Sequence, residues 1–257
     1  MDLNLLQIIS GLVVGLSLGL TGGGGSILAI PLLVYVLKVP VTEAIYISLL
    51  MVALIAFFGA VKQHFGKNVD WKSAILFSLM GIVVAPIVVY FSKSVDDNFR
   101  LIMFASLMLF VSYRMISSRH QLPQTTQGTN STLLLRSTKI ATGGGVAGAL
   151  SGFFGVGGGF IIVPLLTLIF KMPYRVAVGT SLACIFMISI SAVSSAILSD
   201  ANINIPLFIN FLIGGIVGIL GGSWLINRLH NNHCKTIFAV LTALMAVFML
   251  IDKILIY

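Results

Sequence analysis

Long apolar stretches separated by short polar segments run along almost the whole chain. A helix needs about 20 predominantly apolar residues to cross a bilayer core about 30 Å thick. Stretches of about this length predict six membrane-spanning helices, at about 42–61, 71–91, 99–115, 176–198, 205–227 and 236–256. The pattern therefore predicts an all-α, polytopic membrane protein.

Two further apolar stretches are each interrupted by a glycine-rich turn. The first turn reads GGGGS at 22–26, and the second reads GVGGG at 155–159. The apolar piece that follows the first turn, 27–37, is only about 17 Å long at about 1.5 Å per residue, too short to cross a bilayer alone. Each glycine unit is therefore either one broken helix or a re-entrant hairpin that enters and leaves the membrane on the same side.

The second half of the chain repeats the first. A displacement of 133 positions aligns the two turns without a gap from Gly11/Gly144 to Leu49/Leu182. Glycines, prolines and a lysine match in register, which similar hydropathy alone would not produce; the pairs include Gly15/Gly148, Gly22/Gly155, Pro31/Pro164, Lys38/Lys171, Pro40/Pro173 and Ser48/Ser181. The sequence thus predicts a first transmembrane repeat (1–117), a polar linker (118–136) and a second transmembrane repeat (137–257). Each repeat holds one glycine unit and three spans.

The composition agrees with a membrane location. The chain is 58% hydrophobic and 9% charged, with a mean hydropathy of +1.09, whereas soluble domains carry about 25% charged residues. Its net charge of +8 comes from 15 Lys and Arg scattered over short loops, with no basic patch interleaved with aromatic residues. Enrichment of Lys and Arg in cytoplasmic loops accounts for this charge. We therefore expect the lipid bilayer as a partner and no nucleic acid.

The distribution of positive charge distinguishes the two forms of the glycine unit. If each unit crosses the membrane, the Lys and Arg divide about evenly between the two sides, against the expected cytoplasmic bias. If each unit is re-entrant, one side keeps only Lys38, Lys93, Arg100 and Lys253. This favours the hairpin, with both termini on the non-cytoplasmic side. The two repeats then insert in opposite orientations and their glycine tips can meet near the midplane, a pattern typical of secondary transporters.

The glycine turns are the candidate binding site. Consecutive glycines leave backbone N–H groups unpaired and uncovered, and non-helical backbone persists at membrane depth only inside protein or beside water. The second helix of each unit begins at the turn, and a helix N-terminus favours an anion. We predict that a small anionic solute is held by Thr21, Gly22, Gly23, Gly24, Gly25, Ser26, Ser48, Gly155, Val156, Gly157, Gly158, Gly159, Thr180 and Ser181. Alternatively, the glycines serve packing alone, and the chain is a structural or partner subunit.

The positions of the acidic residues and of the histidines narrow the predicted function further. All seven Asp and Glu fall at predicted span ends or in loops, whereas a cation transporter usually keeps a buried acid on its path. The four histidines also fall in loops or at span ends, and His230 and His233 lack a third metal ligand nearby. We therefore expect no catalytic residue, no metal site and no cofactor, and the chain is not predicted to be an enzyme.

The two turns and their flanks resemble the duplicated signature of the TauE/SafE family of sulfite exporter-like permeases. The first copy reads GLTGGGGS at 19–26 and is followed by PLL at 31–33. The second copy reads GFFGVGGG at 152–159 and is followed by PLL at 164–166. The resemblance extends over nearly the whole chain, including its length and its duplication.

This resemblance implies a multi-pass protein of a bacterial or archaeal inner membrane. Such a protein moves sulfur-containing anions such as sulfite, organosulfonates or thiosulfate, driven by the proton gradient. Our hypothesis is thus a secondary transporter, in the exporting direction, that works by alternating access; an anion channel is a further alternative. In the first copy Thr21 and Ser26 replace Phe154 and Gly159, so the cradle is asymmetric. The resemblance specifies neither the particular anion nor the oligomeric state.

Overall fold

The computed structural model describes residues 3–23, 25–92, 95–117, 133–168, 172–197, 204–226, 240 and 242–252, and these residues form helices and no strand. In chain order the helices are α1 (Leu3–Thr21), α2 (Ser26–Val36), α3 (Val41–Phe65), α4 (Trp71–Ser92), α5 (Asp97–Ser117), α6 (Leu133–Phe154), α7 (Gly159–Leu168), α8 (Tyr174–Ile197), α9 (Ile205–Leu225) and α10 (Thr242–Asp252). Within α2, Ser26–Pro31 is α-helical and Leu32–Val36 is π-helical.

The helices confirm the predicted all-α membrane class. Helices α1, α3, α4, α8 and α9 are each long and apolar enough to cross a membrane. Helix α6 begins at Leu133, within the last residues of the predicted linker, 118–136, where three consecutive leucines favour a helix. Residues 118–132 lie outside the described residues, and the last predicted span, 236–256, is described chiefly as α10.

Apolar stripes cover the outward faces of two of these helices. Leu79, Val83 and Ile87 of α4 are exposed, and so are Ile209 and Ile213 of α9. Because residues four apart lie on one face of a helix, each set forms a continuous stripe. Large exposed apolar surfaces mark contact with a membrane or a protein, and the overall hydropathy of the chain favours lipid.

Two helix pairs approach each other closely through glycines. A Cβ atom added to Gly11 of α1 would overlap the carbonyl oxygen of Phe211 in α9. In the second pair, a Cβ atom added to Gly144 of α6 would overlap the carbonyl oxygen of Phe77 in α4. Such small residues let helix backbones pack at short range inside a membrane. Gly11 in the first repeat and Gly144 in the second occupy equivalent positions. The pair α1 and α9 therefore makes the same kind of contact as the pair α6 and α4.

Helices α3 and α8, which correspond in the repeat, pack against each other. A Cβ atom on Gly179, near the start of α8, would lie 3.1 Å from the Cβ atom of Gln63, near the end of α3. Further along, the rings of Phe57 and Phe186 have centroids 5.1 Å apart. As the residue number falls along α3 it rises along α8, so the two helices run in opposite directions. The N-terminal part of each helix therefore reaches the glycine turn of the other repeat.

Candidate functional site

The two glycine turns meet inside the protein. A Cβ atom added to Gly23 would overlap the carbonyl oxygen of Gly159, and one added to Gly159 would lie 2.7 Å from the Cα atom of Gly23. Both residues are buried. The predicted convergence of the turns is therefore observed, as direct contact between backbones. Gly24, at the centre of the first turn, lies outside the described residues.

Both turns reverse the direction of the chain. A Cβ atom added to Gly25 would lie 2.6 Å from the carbonyl oxygen of Val14 in α1 and would overlap the amide nitrogen of Leu18. Gly158 has the same relation to α6, because its Cβ atom would lie 2.9 Å from the carbonyl carbon of Ala147. Each turn thus folds back along the helix that precedes it.

Several turn glycines have a backbone conformation that other residues rarely adopt. The φ angles of the equivalent residues Gly22 and Gly155 are +72° and +69°, and those of Gly157 and Gly158 are +72° and +66°. A left-handed conformation costs a residue with a side chain about 1–2 kcal/mol. The glycines are therefore required for the shape of the turns as well as for their close contact.

A serine of the opposite repeat holds each turn. The hydroxyl of Ser48 in α3 donates to the carbonyl oxygen of Gly155 at 2.7 Å. The hydroxyl of Ser181 in α8 donates to the carbonyl oxygen of Gly22. Both serines are fully buried. Because Ser48 aligns with Ser181 and Gly22 with Gly155, these two hydrogen bonds are equivalent and cross between the repeats.

The other three predicted hydroxyls also bond to backbone groups. Thr21 donates to the carbonyl oxygen of Ser17 at 2.7 Å, and Ser26 donates to that of Gly23 at 2.6 Å. Thr180 accepts from the amide of Asp70 at 3.0 Å, in the segment between α3 and α4. In this conformation Thr21 and Ser26 thus stabilise the ends of the first turn, while Thr180 anchors a loop.

Backbone hydrogen bonds bound the second turn on both sides. The amide of Gly155 donates to the carbonyl oxygen of Ser151 at 2.9 Å, and the amide of Ile161 donates to that of Gly158 at 3.2 Å. Between them, residues 156–158 form the turn and α7 begins at Gly159. These residues are buried and they open α7, whose N-terminus adds positive potential. The second turn can therefore stabilise a buried negative charge.

Four described carboxylates lie at helix N-termini. Glu43 and Asp97 are in the first turns of α3 and α5, and Asp70 and Asp96 immediately precede α4 and α5. None of the described carboxylates, Asp252 included, supplies one of the atoms nearest to the described turn glycines. These four residues lie where the sequence predicts them, at span ends or in loops. Asp252 is the last described residue of α10, and the remaining two carboxylates lie outside the described residues.

One buried hydroxyl beside the second turn was missed by the sequence reasoning. Ser189 of α8 is fully buried, and its hydroxyl has no hydrogen-bond partner among the described residues. A Cβ atom on Gly157 would lie 2.9 Å from this hydroxyl oxygen. Ser189 lies two helical turns after Ser181 on the same face of α8, and that spacing is the signal that could have found it. The equivalent position in α3 is Ala56.

Comparison with known proteins finds one family model and several relatives that match most of the chain. A family model described as sulfite exporter TauE/SafE matches residues 7–249. The chain is 35% identical over 221 residues to a probable membrane transporter protein of Xylella fastidiosa (strain Temecula1), covering 86% of this chain and 84% of that protein. It is 30% identical over 213 residues to the probable membrane transporter protein YunE of Bacillus subtilis (strain 168), covering 76% and 78%. A probable membrane transporter protein of Methanocaldococcus jannaschii is 25% identical over 263 residues, covering 96% and 95%. No solved structure gives a significant match.

Proposed function

Because the chain belongs to the TauE/SafE family of membrane transporters, we propose that it is a secondary transporter of small anions. The solute is held at the glycine turns, chiefly by the second. The family description, sulfite exporter, makes sulfur oxyanions and related anions the first solutes to test: sulfite, organosulfonates and thiosulfate. The proposed direction is export across a bacterial or archaeal inner membrane, coupled to protons.

The observation that carries this proposal is the buried contact of two glycine turns, each at the N-terminal end of a helix, α2 or α7. A helix N-terminus presents backbone N–H groups and positive potential, which favour an anion. The unpartnered hydroxyl of Ser189 beside Gly157 provides a further donor for the same solute. No carboxylate lies at the described turn residues, so none there would repel the bound anion.

The contact between the turns defines the proposed movement. Gly23 and Gly159 touch, so a solute between them requires that the turns separate. We infer that the described conformation is closed and that alternating access opens the Gly23–Gly159 contact first towards one side and then towards the other. Repeats inserted in opposite orientations provide two equivalent openings. The opposite directions of α3 and α8 support this topology, in which both termini lie on the non-cytoplasmic side.

Flux measurements on purified protein in proteoliposomes test the proposal. Radiolabelled sulfite, sulfoacetate and thiosulfate would be offered with and without a pH gradient, at concentrations that span saturation. We expect saturable flux of at least one of these anions, accelerated by the gradient. The variant Gly145→Ala is a suitable control, because a Cβ atom there meets nothing within 4 Å. Absence of anion flux in protein of verified fold would refute the transport proposal, and a non-saturating conductance would favour a channel.

A further inference from the structure

Arg100 is a buried cation in the first turn of α5. It is 4% exposed, and its guanidinium donates to the carbonyl oxygen of Ser92 at the end of α4. Its Cζ atom lies 5.8 Å from the ring centroid of Phe153, within the range of a cation–π contact. Its Nε atom has no hydrogen-bond partner among the described residues. The side chain is therefore held on two sides, and its Nε–H group is left without a partner among the described residues.

The charge of Arg100 is only weakly neutralised. Among the described residues its one ion pair is with Asp97, at 3.5 Å between Nη1 and Oδ1, longer than the 2.7–2.9 Å typical of charge-assisted hydrogen bonds. The Asp97 side chain is 46% exposed and also accepts from the hydroxyl of Thr42 at 3.3 Å. Water and Thr42 thus share this carboxylate with Arg100. A buried guanidinium with so loose a counterion retains a positive potential that attracts a second anion.

A small cavity beside Arg100 adjoins the second turn. Its volume is about 10 Å³, the space of one water molecule. Its accessible lining is entirely apolar: Arg100 contributes only the aliphatic part of its side chain, next to Ile45 of α3 and Phe154 of α6. Phe154 directly precedes Gly155, and a Cβ atom on Gly155 would lie 2.8 Å from the carbonyl oxygen of Ile45. One layer of apolar residues therefore separates the Arg100 cavity from the second turn.

We propose that Arg100 forms a second binding station for the transported anion, between the second glycine turn and the surface at the N-terminal ends of α3 and α5. The ligand is a small oxyanion, since a guanidinium binds oxyanions through paired N–H groups. In the closed conformation the cavity, at about 10 Å³, is too small for an oxyanion. Separation of the turns widens it, and an anion leaving the second turn passes Ile45 and Phe154 to reach Nε. This inference rests on the anion-transport proposal and adds a site to it.

Flux kinetics of charge variants test the station. In Arg100→Gln we expect KM for the transported anion to rise by about tenfold or more, since a hydrogen bond to a charged group is lost, while kcat changes by less than about threefold. Arg100→Lys keeps the charge and should restore part of the affinity. The matched control is Lys38→Gln, which removes an exposed cation three residues before Val41 in the cavity wall. An unchanged KM in Arg100→Gln, or an equal rise in Lys38→Gln, would overturn the inference.

A second variant excludes a merely structural role for Arg100, which also bonds to the end of α4. Asp97→Asn removes the weak counterion and leaves the guanidinium in place. The station predicts that KM falls by about threefold, because the full charge of Arg100 then faces the anion. A purely structural Arg100 predicts no gain, so an unchanged or raised KM in Asp97→Asn contradicts the station even if Arg100→Gln fails to fold. If the wild-type protein transports no anion, the transport proposal itself fails, which is a separate outcome.

Discussion

The two glycine turns share one framework and differ in chemistry. In both, the first glycine is left-handed, at Gly22 and Gly155, and a serine of the opposite repeat bonds to its carbonyl oxygen. Beyond that glycine the turns diverge. Gly25 has a right-handed φ of −63°, whereas the equivalent Gly158 has +66°. Ser26 bonds back to the first turn, and its equivalent in the second turn is a glycine without a side chain.

This difference assigns separate roles to the two turns. In the first turn, the hydroxyl of Ser26 donates to the carbonyl oxygen of Gly23. In the second turn, the equivalent Gly159 has no side chain, and the buried hydroxyl of Ser189, which has no partner among the described residues, lies beside Gly157. The duplication thus supplies a symmetric scaffold. We infer that the first turn braces the contact and that the second binds the solute.

Among these variants, Gly157→Ala is expected to lower anion flux the most. A Cβ atom there would lie 2.9 Å from both Ile185 Cγ2 and Ser189 Oγ, in a left-handed conformation that costs a non-glycine residue about 1–2 kcal/mol. We expect flux in proteoliposomes to be abolished and the unfolding midpoint to fall, whereas Gly145→Ala should behave as the wild type. If Gly157→Ala lowers stability but leaves flux per folded molecule unchanged, the glycines serve packing alone.

Two separate variants, Gly159→Ser and Ser26→Gly, should change anion flux unequally. In Gly159→Ser the new Cβ atom would lie 2.7 Å from the Cα atom of Gly23 and would overlap Ile185 Cδ1, so we expect a large loss of flux. In Ser26→Gly one hydrogen bond of 2.6 Å is lost, at a cost of about 1 kcal/mol in unfolding free energy, and flux should persist. Equal losses of flux in the two variants would contradict the division of roles.

The cross-repeat serine bonds should prove equivalent. Ser48→Ala and Ser181→Ala each leave a buried carbonyl oxygen without its donor, which costs about 1–3 kcal/mol. Urea or thermal unfolding of the two variants in detergent should therefore give similar destabilisation, and the double variant should give roughly the sum. A large difference between the single variants would mean that the two repeats do not hold their turns in the same way.

The smallest effect on stability is expected from Ser189→Ala. Its hydroxyl is buried and has no partner among the described residues, so its removal should leave the unfolding midpoint unchanged or slightly raised. If the hydroxyl contacts the solute, KM should rise by about threefold to tenfold, as for one lost hydrogen bond. Ala56→Ser, at the equivalent position of the first repeat, is the control and should leave KM unchanged. Wild-type KM in Ser189→Ala would remove this residue from the proposed site.

Some site residues could be predicted because they belong to a local pattern. The glycines at 22–26 and 155–159 are conspicuous between apolar stretches, and their register in the repeat links Ser48 with Ser181. Other roles depended on contacts over long sequence separations. Ser48 bonds to a residue 107 positions away and Ser181 to one 159 positions away. The sequence spacing reveals neither of these partners. The sequence therefore predicted that the two serines contact the solute instead.

The sequence by itself determined the all-α membrane class and the long apolar helices α3, α4, α8 and α9, because hydropathy is a property of the chain read in order. The tertiary structure alone decided that Gly23 touches Gly159, that Ser189 lies beside Gly157 and that Arg100 is buried next to an apolar cavity. These features depend on how α3 and α8 cross and on which helices pack through glycine. Packing of this kind is a property of the folded chain, so a local pattern could not reveal it.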